Sequence, residues 1–514
     1  MRHLIRTTTK LFPVLGFATI ALLACSRQPV VTPGVTEGVV PPTQIPEVIT
    51  VTLPTETGAA PALSQGTASA SPLPTSSGSV ETPVISQTIT NTATIAGVEM
   101  HSLTPAGGLD LVAEAGISWV RRNSLSWAAV EPTKGTRNWQ AVSALEAELK
   151  NAAERDLEVI LIVRDTPAWA RKMPGVACGP VAENELESFG AFLHDMVARY
   201  SQAPYNVRYF ELWNEPDVAP GSVLANSVFG CWGDATQADF GGAYYAEMLK
   251  AAYPQMKSAD AEAQVLVGGL LLDCDPDNPP TNANGTRRDC KGSLFLDGIL
   301  KAGGGDFFDG VSYHAYDYSA GELGAYGNPG WSGSSEATGP VLALKASYLN
   351  KVLQANGHAE KYLVNTEVAL ICAGKEPACV ADPYEKSKAY YVAQSNAAAL
   401  AAGLRANIWY SITGWRYSGL VDKSMKPLPG FEAEKVSAEM LRGATFVGEL
   451  NQFPNVKGYA FQRGDTRLWV LWSMDGKPHP LTFQTVPSRV VGVFGEQLSP
   501  DQVEYEPVYI EWAP

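Results

Sequence analysis

From Ala96 onward the chain alternates between two hydrophobic periods. Short β-branched or aromatic runs recur at "AGVEMH", "ISWVRR", "LEVILIV", "VRYFELW", "QVLVGGL", "FDGVSYHAY", "KYLVNTE" and "ANIWYSI". Between them lie helical periods. Trp139, Val142, Leu145 and Leu149 share one face, as do Leu186, Phe189, Leu193, Met196 and Tyr200. The Ala-rich stretch "AYYVAQSNAAALAAGL" precedes the eighth run. Eight strands, each followed by a helix over about 350 residues, predict an α/β fold of the (β/α)8 TIM-barrel kind. An open doubly wound sheet is the other arrangement of such elements, but no strand here is followed by a Gly-rich phosphate-binding turn.

The texture changes after about Gly443. "VKGYAFQRGDTRLWVLWS" reads as a hairpin around Arg463-Gly464-Asp465, with Leu468, Val470 and Trp472 alternating, and further short strands are expected at "PLTFQTV", "RVVGVF" and "VYIEW". This predicts a small antiparallel β-domain over 444–514, following the barrel over 96–443. Trp469, Trp472 and Trp512 are core or interdomain packing, with sugar stacking as the alternative.

The N-terminal part has neither period. Arg2, Arg6 and Lys10 precede the uncharged run Leu11 to Ala24, which is too short to span a bilayer and fits a signal segment over 1–24. The run ends "LLAC", and Ala24 directly before Cys25 resembles a bacterial lipobox, in which the cysteine is acylated and becomes the mature N-terminus. The localisation expected is the outer face of the cell membrane, anchored through lipid on Cys25, with plain secretion as the alternative. Residues 25–95 are Pro, Thr, Ser, Val and Ala with almost no aromatics, a composition that cannot offset chain entropy. They read as a disordered tether of about seventy residues, spanning on the order of 45 Å.

Composition then narrows the partners. The net charge of −15 argues against a phosphate backbone, so no nucleic acid is expected. Seven cysteines is an odd number for an exported chain. Assigning Cys25 to lipid leaves six. Proximity favours Cys372–Cys379 and Cys274–Cys290, leaving Cys178–Cys231, among the fifteen pairings that six cysteines allow. No metal-type Cys/His spacing is present, and no metal or organic cofactor is expected.

The run "ELWNEPD" carries the chemistry. Pro216 cannot continue a sheet ladder and biases Glu215 away from helix, so Glu215 is held at a strand terminus. Chemistry in such barrels sits at strand ends. Taking the final polar residues of each run, strand two ends at Arg121 and strand four at Asn214 and Glu215. Strand six offers His314 and Tyr316, strand seven ends at Glu367, and strand eight leads to Trp415. Strands four and seven face each other across the mouth. Two opposed carboxylates are what glycosidic cleavage requires, one protonated to assist departure and one ionised.

"WNEP" after a fourth strand, with a Glu ending the seventh, resembles the clan A retaining glycoside hydrolases over roughly Ala96 to Leu441. "WVRRNSLSWAAVEPTKG" and "TPAWA" are most similar to their family 39 branch of β-xylosidases and α-iduronidases. The resemblance implies Glu215 as acid/base and Glu367 as nucleophile. It implies Asn214 as the partner of the sugar 2-hydroxyl, Arg121 as the cation beside the nucleophile, Tyr316 as donor to Glu367, and Trp415 as the floor under the sugar. Trp169 and Trp232 are candidate subsite walls, with packing as the alternative, Trp331 is a candidate to stack on a distal sugar, and Glu131 is expected to be structural. The expected partner is a β-linked oligo- or polysaccharide. A transglycosylase using the same residues, and a non-catalytic carbohydrate-binding lipoprotein, are the alternatives.

Overall fold

The computed structural model describes residues 94–331, 339–372, 374, 378–499 and 501–513. The signal segment, Cys25, the tether up to residue 93 and residues 332–338 of the loop after strand six lie outside the described residues.

Eight parallel strands close on themselves: β1 (Ala96–Glu99), β2 (Trp119–Ser126), β3 (Glu158–Arg164), β4 (Tyr209–Asn214), β5 (Gln264–Leu270), β6 (Gly310–Ser319), β7 (Tyr362–Ile371) and β8 (Asn407–Trp409). Each pairs with the next in sequence, and β8 pairs back onto β1. A helix follows each strand: α1 (Leu109–Glu114), α2 (Ser143–Ala153), α3 (Leu186–Tyr200), α4 (Gly242–Ala259), α5 (Phe295–Lys301), α6 (Val341–Ala355), α7 (Asp382–Ala401) and α8 (Pro429–Met440). The fold is therefore the (β/α)8 barrel that the alternating periods predict. All five residues expected on the inner face of α3 are buried. No described helix is long and apolar enough to cross a membrane.

The C-terminal residues form a five-stranded antiparallel sheet, in spatial order β9 (Thr445–Glu449), β10 (Val456–Arg463), β11 (Thr466–Ser473), β13 (Val508–Trp512) and β12 (Arg489–Val491). The β10–β11 hairpin turns at Gly464, whose φ of 56° a residue without a side chain adopts at little cost. Alternation along β11 divides its side chains between two cores. Leu468, Val470 and Trp472 join the barrel's core, while Leu471 packs with Trp469 and Trp512 in a second one. Those two tryptophans sit 4.7 Å apart in edge contact, and Trp472 is buried, so all three serve packing. Tyr509 shares a 2.6 Å hydrogen bond with Ser437 of α8, and Gln394 of α7 donates to the Tyr505 carbonyl. With the sheet over its outer side, α7 is buried almost all round, which explains its small-residue composition.

Two expectations change. "PLTFQTV" is a strand only at its first residue: His479–Pro480 pairs antiparallel with Gln502–Val503, and the rest is irregular, with Phe483 packed 5.5 Å from Trp512. Nor do β2 and β7 end at Arg121 and Glu367. Both strands continue past the barrel rim, β7 running beside β6 from His314↔Glu367 to Tyr318↔Ile371. Glu367 acquires its inward aim from a register shift rather than a strand end, because β7–β8 pairing jumps from Asn365 to Val368.

Candidate active site

The backbone delivering Glu215 is irregular for identifiable reasons. Trp213 and Glu215 have φ of 75° and 48°, left-handed values for residues with side chains. Neighbouring chain holds them there. The Glu215 N–H donates to the Gly269 carbonyl at 2.9 Å, and the Asn214 carbonyl accepts from Gly230 at 2.8 Å. The β6–β7 register likewise shifts between Tyr313 and His314. Gly269 makes room for both neighbours, since a Cβ there would collide with the His314 ring and the Glu211 carboxylate.

At the centre lies Arg121, fully buried inside the barrel. Nε and Nη2 grip Glu211 of β4 bidentately at 2.9 and 2.8 Å, and Gly269 N–H supports the same carboxylate at 2.6 Å. Nη1 donates to Glu99 of β1, and to Glu367 of β7 at 2.6 Å. Nη2 also donates to Asn214 Oδ1 at 2.8 Å, which leaves the Asn214 NH2 group without a partner among the described residues. Burial opposes the guanidinium charge, yet Glu211, Glu99 and Glu367 together hold Arg121 well above its usual pKa. Arg122, its neighbour, points outward and pairs with Glu148 at 2.6 Å.

The two predicted glutamates meet beside this hub. One oxygen from each, and a ring nitrogen of His314, lie within 4.8 Å of one another. Both are buried without being sealed, 9% and 5% exposed. Their surroundings differ. Glu367 receives Arg121 and the Tyr316 hydroxyl. The one side-chain partner of Glu215 among the described residues is His314 Nδ1, at 2.9 Å. The other ring nitrogen faces an Arg121 donor at 3.4 Å and must be bare, so the proton sits on Nδ1 and points at Glu215.

Electrostatics separate the pair further. Burial lifts Glu215 well above the ordinary glutamate range, and the charges of Glu367 and Asp217 lift it again. Burial also pushes Glu367 up to about 8, with Glu99 adding to it, while Arg121 and Tyr316 pull it back. Two carboxylates this close titrate as a unit, and the first proton goes to the partner with no cation in contact, Glu215. Burial, Arg121 and Lys345 keep His314 far below its usual pKa, hence neutral. Three ligand-type atoms at this spacing could span a cation, the one such group among the described residues, but the protein's own donors from Arg121, Tyr316 and His314 already engage these carboxylates.

The remaining candidates divide. Trp415 is 47% exposed and stands edge-on, at 6.1 Å, to Tyr316, the hydroxyl partner of Glu367. Trp169 spends its N–H on the Glu131 carbonyl and packs on Trp127, outside the Arg121 group. Glu131 itself accepts from Trp127 and Gly135, a structural part. Trp331 and Trp232 are buried, the first donating to the Leu272 carbonyl and the second packed between Trp213 and Tyr245, so neither walls a sugar site. Cys178–Cys231, Cys274–Cys290 and Cys372–Cys379 are disulfide-bonded, with Cα atoms 5.5, 5.3 and 5.7 Å apart. Glu99, Glu211, Asp217, Lys345 and Tyr410 are the members that reading of strand ends misses. Glu99 and Glu211 carry a usable signal, an acid inside an apolar strand run. Tyr410 stands 6.1 Å from Tyr316, and nothing in its sequence context marks it.

The class defined is a (β/α)8 barrel with an antiparallel sheet behind it and a buried carboxylate pair at its mouth. Solved structures similar to it include a family 39 glycoside hydrolase from the gut symbiont Bacteroides cellulosilyticus WH2, at 20% identity over 82% of this chain and 81% of that one, TM-score 0.58. A family 30 endoxylanase from Clostridium papyrosolvens C71 matches at 14% identity over 82% and 97%, TM-score 0.55. A family 39 β-xylosidase from Caulobacter crescentus matches at 14% over 82% and 97%, TM-score 0.50. Likeness at these identities shows a shared fold. No family model and no curated protein matches the sequence.

Removing the hub should be expensive. Arg121→Met leaves Glu211 and Glu99 buried without their cation, and the expected cost is about 3–5 kcal/mol of folding free energy, read as a lower urea midpoint. An unchanged midpoint would mean that the two carboxylates are neutral in the native barrel.

Proposed function

We propose that this protein is a retaining O-glycosidase of clan A that cleaves a β-linked oligo- or polysaccharide by double displacement. The observation that carries the reading is the approach of Glu215 and Glu367 within 4.8 Å, with donors divided unequally between them. A retaining pair stands about 5–5.5 Å apart, whereas inversion needs about 6.5–9.5 Å to admit a water. The neighbours' printed names, an endoxylanase and a β-xylosidase, favour a xylan-type substrate.

In the first step Glu367 attacks the anomeric carbon, the bond to the departing oxygen breaks, and the Glu215 proton passes to that oxygen. An ester to Glu367 results. In the second, water attacks the same carbon, gives its proton to Glu215, and the ester bond breaks to restore the Glu367 carboxylate. Two inversions retain the configuration. The electrostatics favour this alternation. While Glu367 is charged, Glu215 keeps its proton. Esterification removes that charge, and Glu215 becomes able to act as a base.

Each surrounding group has a task. The free Asn214 amide suits the sugar 2-hydroxyl, whose hydrogen bond strengthens as positive charge develops on the ring. Arg121 and Tyr316 orient the nucleophile, and Trp415 offers an exposed face at the mouth. His314, neutral, holds Glu215 without competing for its proton. The three disulfides favour an oxidising compartment, in keeping with export and anchoring through Cys25.

Three measurements test this. Glu367→Ala should abolish turnover of aryl glycosides and regain part of it with azide, yielding the inverted glycosyl azide; near-normal activity would remove Glu367 from the mechanism. Glu215→Ala should lose most on poor leaving groups and least on activated ones, and equal losses would count against an acid role. The kcat/KM profile should be bell-shaped. Its acid limb, where Glu367 takes up a proton as pH falls, should lie above the usual glutamate value of 4.5, towards about 8. Its basic limb, where Glu215 gives up its proton, should lie higher still and vanish in Glu215→Gln. An acid limb at or below 4.5 would contradict this electrostatic account. For the anchor, palmitate labelling of expressing cells should mark the protein and fail for Cys25→Ser; an unlabelled wild type rules the lipid out.

A further inference from the structure

We propose that Asp217 is the positioning residue of the acid/base, its carboxylate fastening the turn that carries Glu215 to the end of β5. This inference rests on the glycosidase reading.

Asp217 lies two residues beyond Glu215 and is 4% exposed, yet it touches neither catalytic carboxylate. Its two oxygens accept from the consecutive N–H groups of Leu271 and Leu272, each at 2.9 Å. The carbonyls of the same two residues are also claimed by buried side chains. Lys345 Nζ donates to Leu271 O at 2.7 Å, and Trp331 Nε1 to Leu272 O at 2.8 Å. Every backbone polar group of this dipeptide is thus held by a side chain, although Leu272 itself has a left-handed φ of 49°. Lys345 reaches further, to the His314 carbonyl at 2.8 Å. The result is a continuous brace: Glu215 turn, Asp217, Leu271, Lys345, His314 backbone, and the His314 ring returning to Glu215.

The brace is built for position rather than folding alone. An apolar side chain would fill the space behind Glu215 without burying a charge. Burial raises Asp217 to about 6 against the pull of the two N–H groups, so it is an anion above that pH. Glu215 then faces Glu367 on β7, Asp217 in its own turn, Arg121 on β2, Lys345 on α6, His314 and Tyr316 on β6, and Tyr410 after β8. The anions favour its protonated form, and Arg121 and Lys345 oppose them.

The test compares Asp217→Asn with Lys345→Met in the full-length protein, using aryl glycosides of graded leaving-group ability. Burst labelling of Glu367 by an activated 2-deoxy-2-fluoro glycoside reports whether each variant retains an intact site. Asp217→Asn should lose about 10- to 100-fold in kcat on poor leaving groups and less than about 3-fold on activated ones. Its basic limb should move down by about half to one pH unit, and in Lys345→Met the limb should move up. A merely structural role would lower both substrate classes alike and leave the limbs in place, and that result overturns the inference. So does an Asp217→Asn protein too unstable to label, which would assign Asp217 to folding. Wild-type protein inert on every aryl glycoside sinks the glycosidase reading instead; active wild type with an indifferent Asp217→Asn sinks only this one.

Discussion

The site depends on one guanidinium. Arg121 has five N–H groups, and oxygens of Glu211, Glu99, Glu367 and Asn214, from three other strands of the barrel, take all of them. A buried cation is tolerable because Glu211 answers it in bidentate geometry, and a rigid fork fixes the relative height of β1, β2, β4 and β7. The sharing also sets chemical behaviour. Burial lifts Glu99 and Glu367 above their ordinary pKa, and one positive charge divided among three carboxylates cannot pull them all the way back. Held in this way, the Glu367 carboxylate is less stabilised as an anion than exclusive pairing with arginine would make it.

Periodicity made the barrel legible, because a closed parallel sheet imposes the same strand-helix alternation eight times over. Glu215 was legible for a local reason, the proline after it. Glu367 and Arg121 were found as polar residues closing apolar runs, yet neither closes its strand. A register shift aims Glu367, and no single-residue signal marks a shift. Arg121 and Arg122 are indistinguishable in sequence; strand alternation sends one into the barrel and the other to Glu148. Lys345 and Tyr410 were invisible, since a lysine on a helix and a tyrosine after a strand are ordinary until the closed barrel brings them inward. Aromatic residues in long loops fit sugar stacking or packing equally in sequence; here Trp331 covers the Leu272 carbonyl and Trp232 packs on Trp213 and Tyr245.

Support for the site comes from its loops and from the sheet behind it. All three disulfides lie in loops that follow strands, at the mouth end of the barrel. Cys178–Cys231 ties the loop after β3 to the loop after β4, the segment that continues from Glu215. Such cross-links restrict the unfolded chain and limit local opening of loops that no core element covers. The antiparallel sheet acts from the opposite direction. Its β11 face shares a core with α7, and α7 packs on β7, the strand bearing Glu367. The second domain therefore backs β7 through α7, with Trp472 in that shared core and Trp469 and Trp512 in the sheet's own second core.

Backbone strain at Trp213, Glu215 and Leu272 follows from the same logic. Left-handed φ at a residue with a side chain costs on the order of 1–3 kcal/mol and persists only where the surroundings over-determine it. Here they do. Glu215 N–H is taken by Gly269, its carbonyl by Val218, and the following turn by Asp217, while Leu272 is held at both its N–H and its carbonyl. A relaxed strand end would swing Glu215 towards solvent, where an ordinary glutamate loses its proton far below neutral pH. The strained turn instead keeps it beside Glu367 in a dry, acidic enclosure. Proton retention on Glu215 is therefore a consequence of backbone geometry as much as of charge, and a substitution that relaxes the turn would weaken both at once.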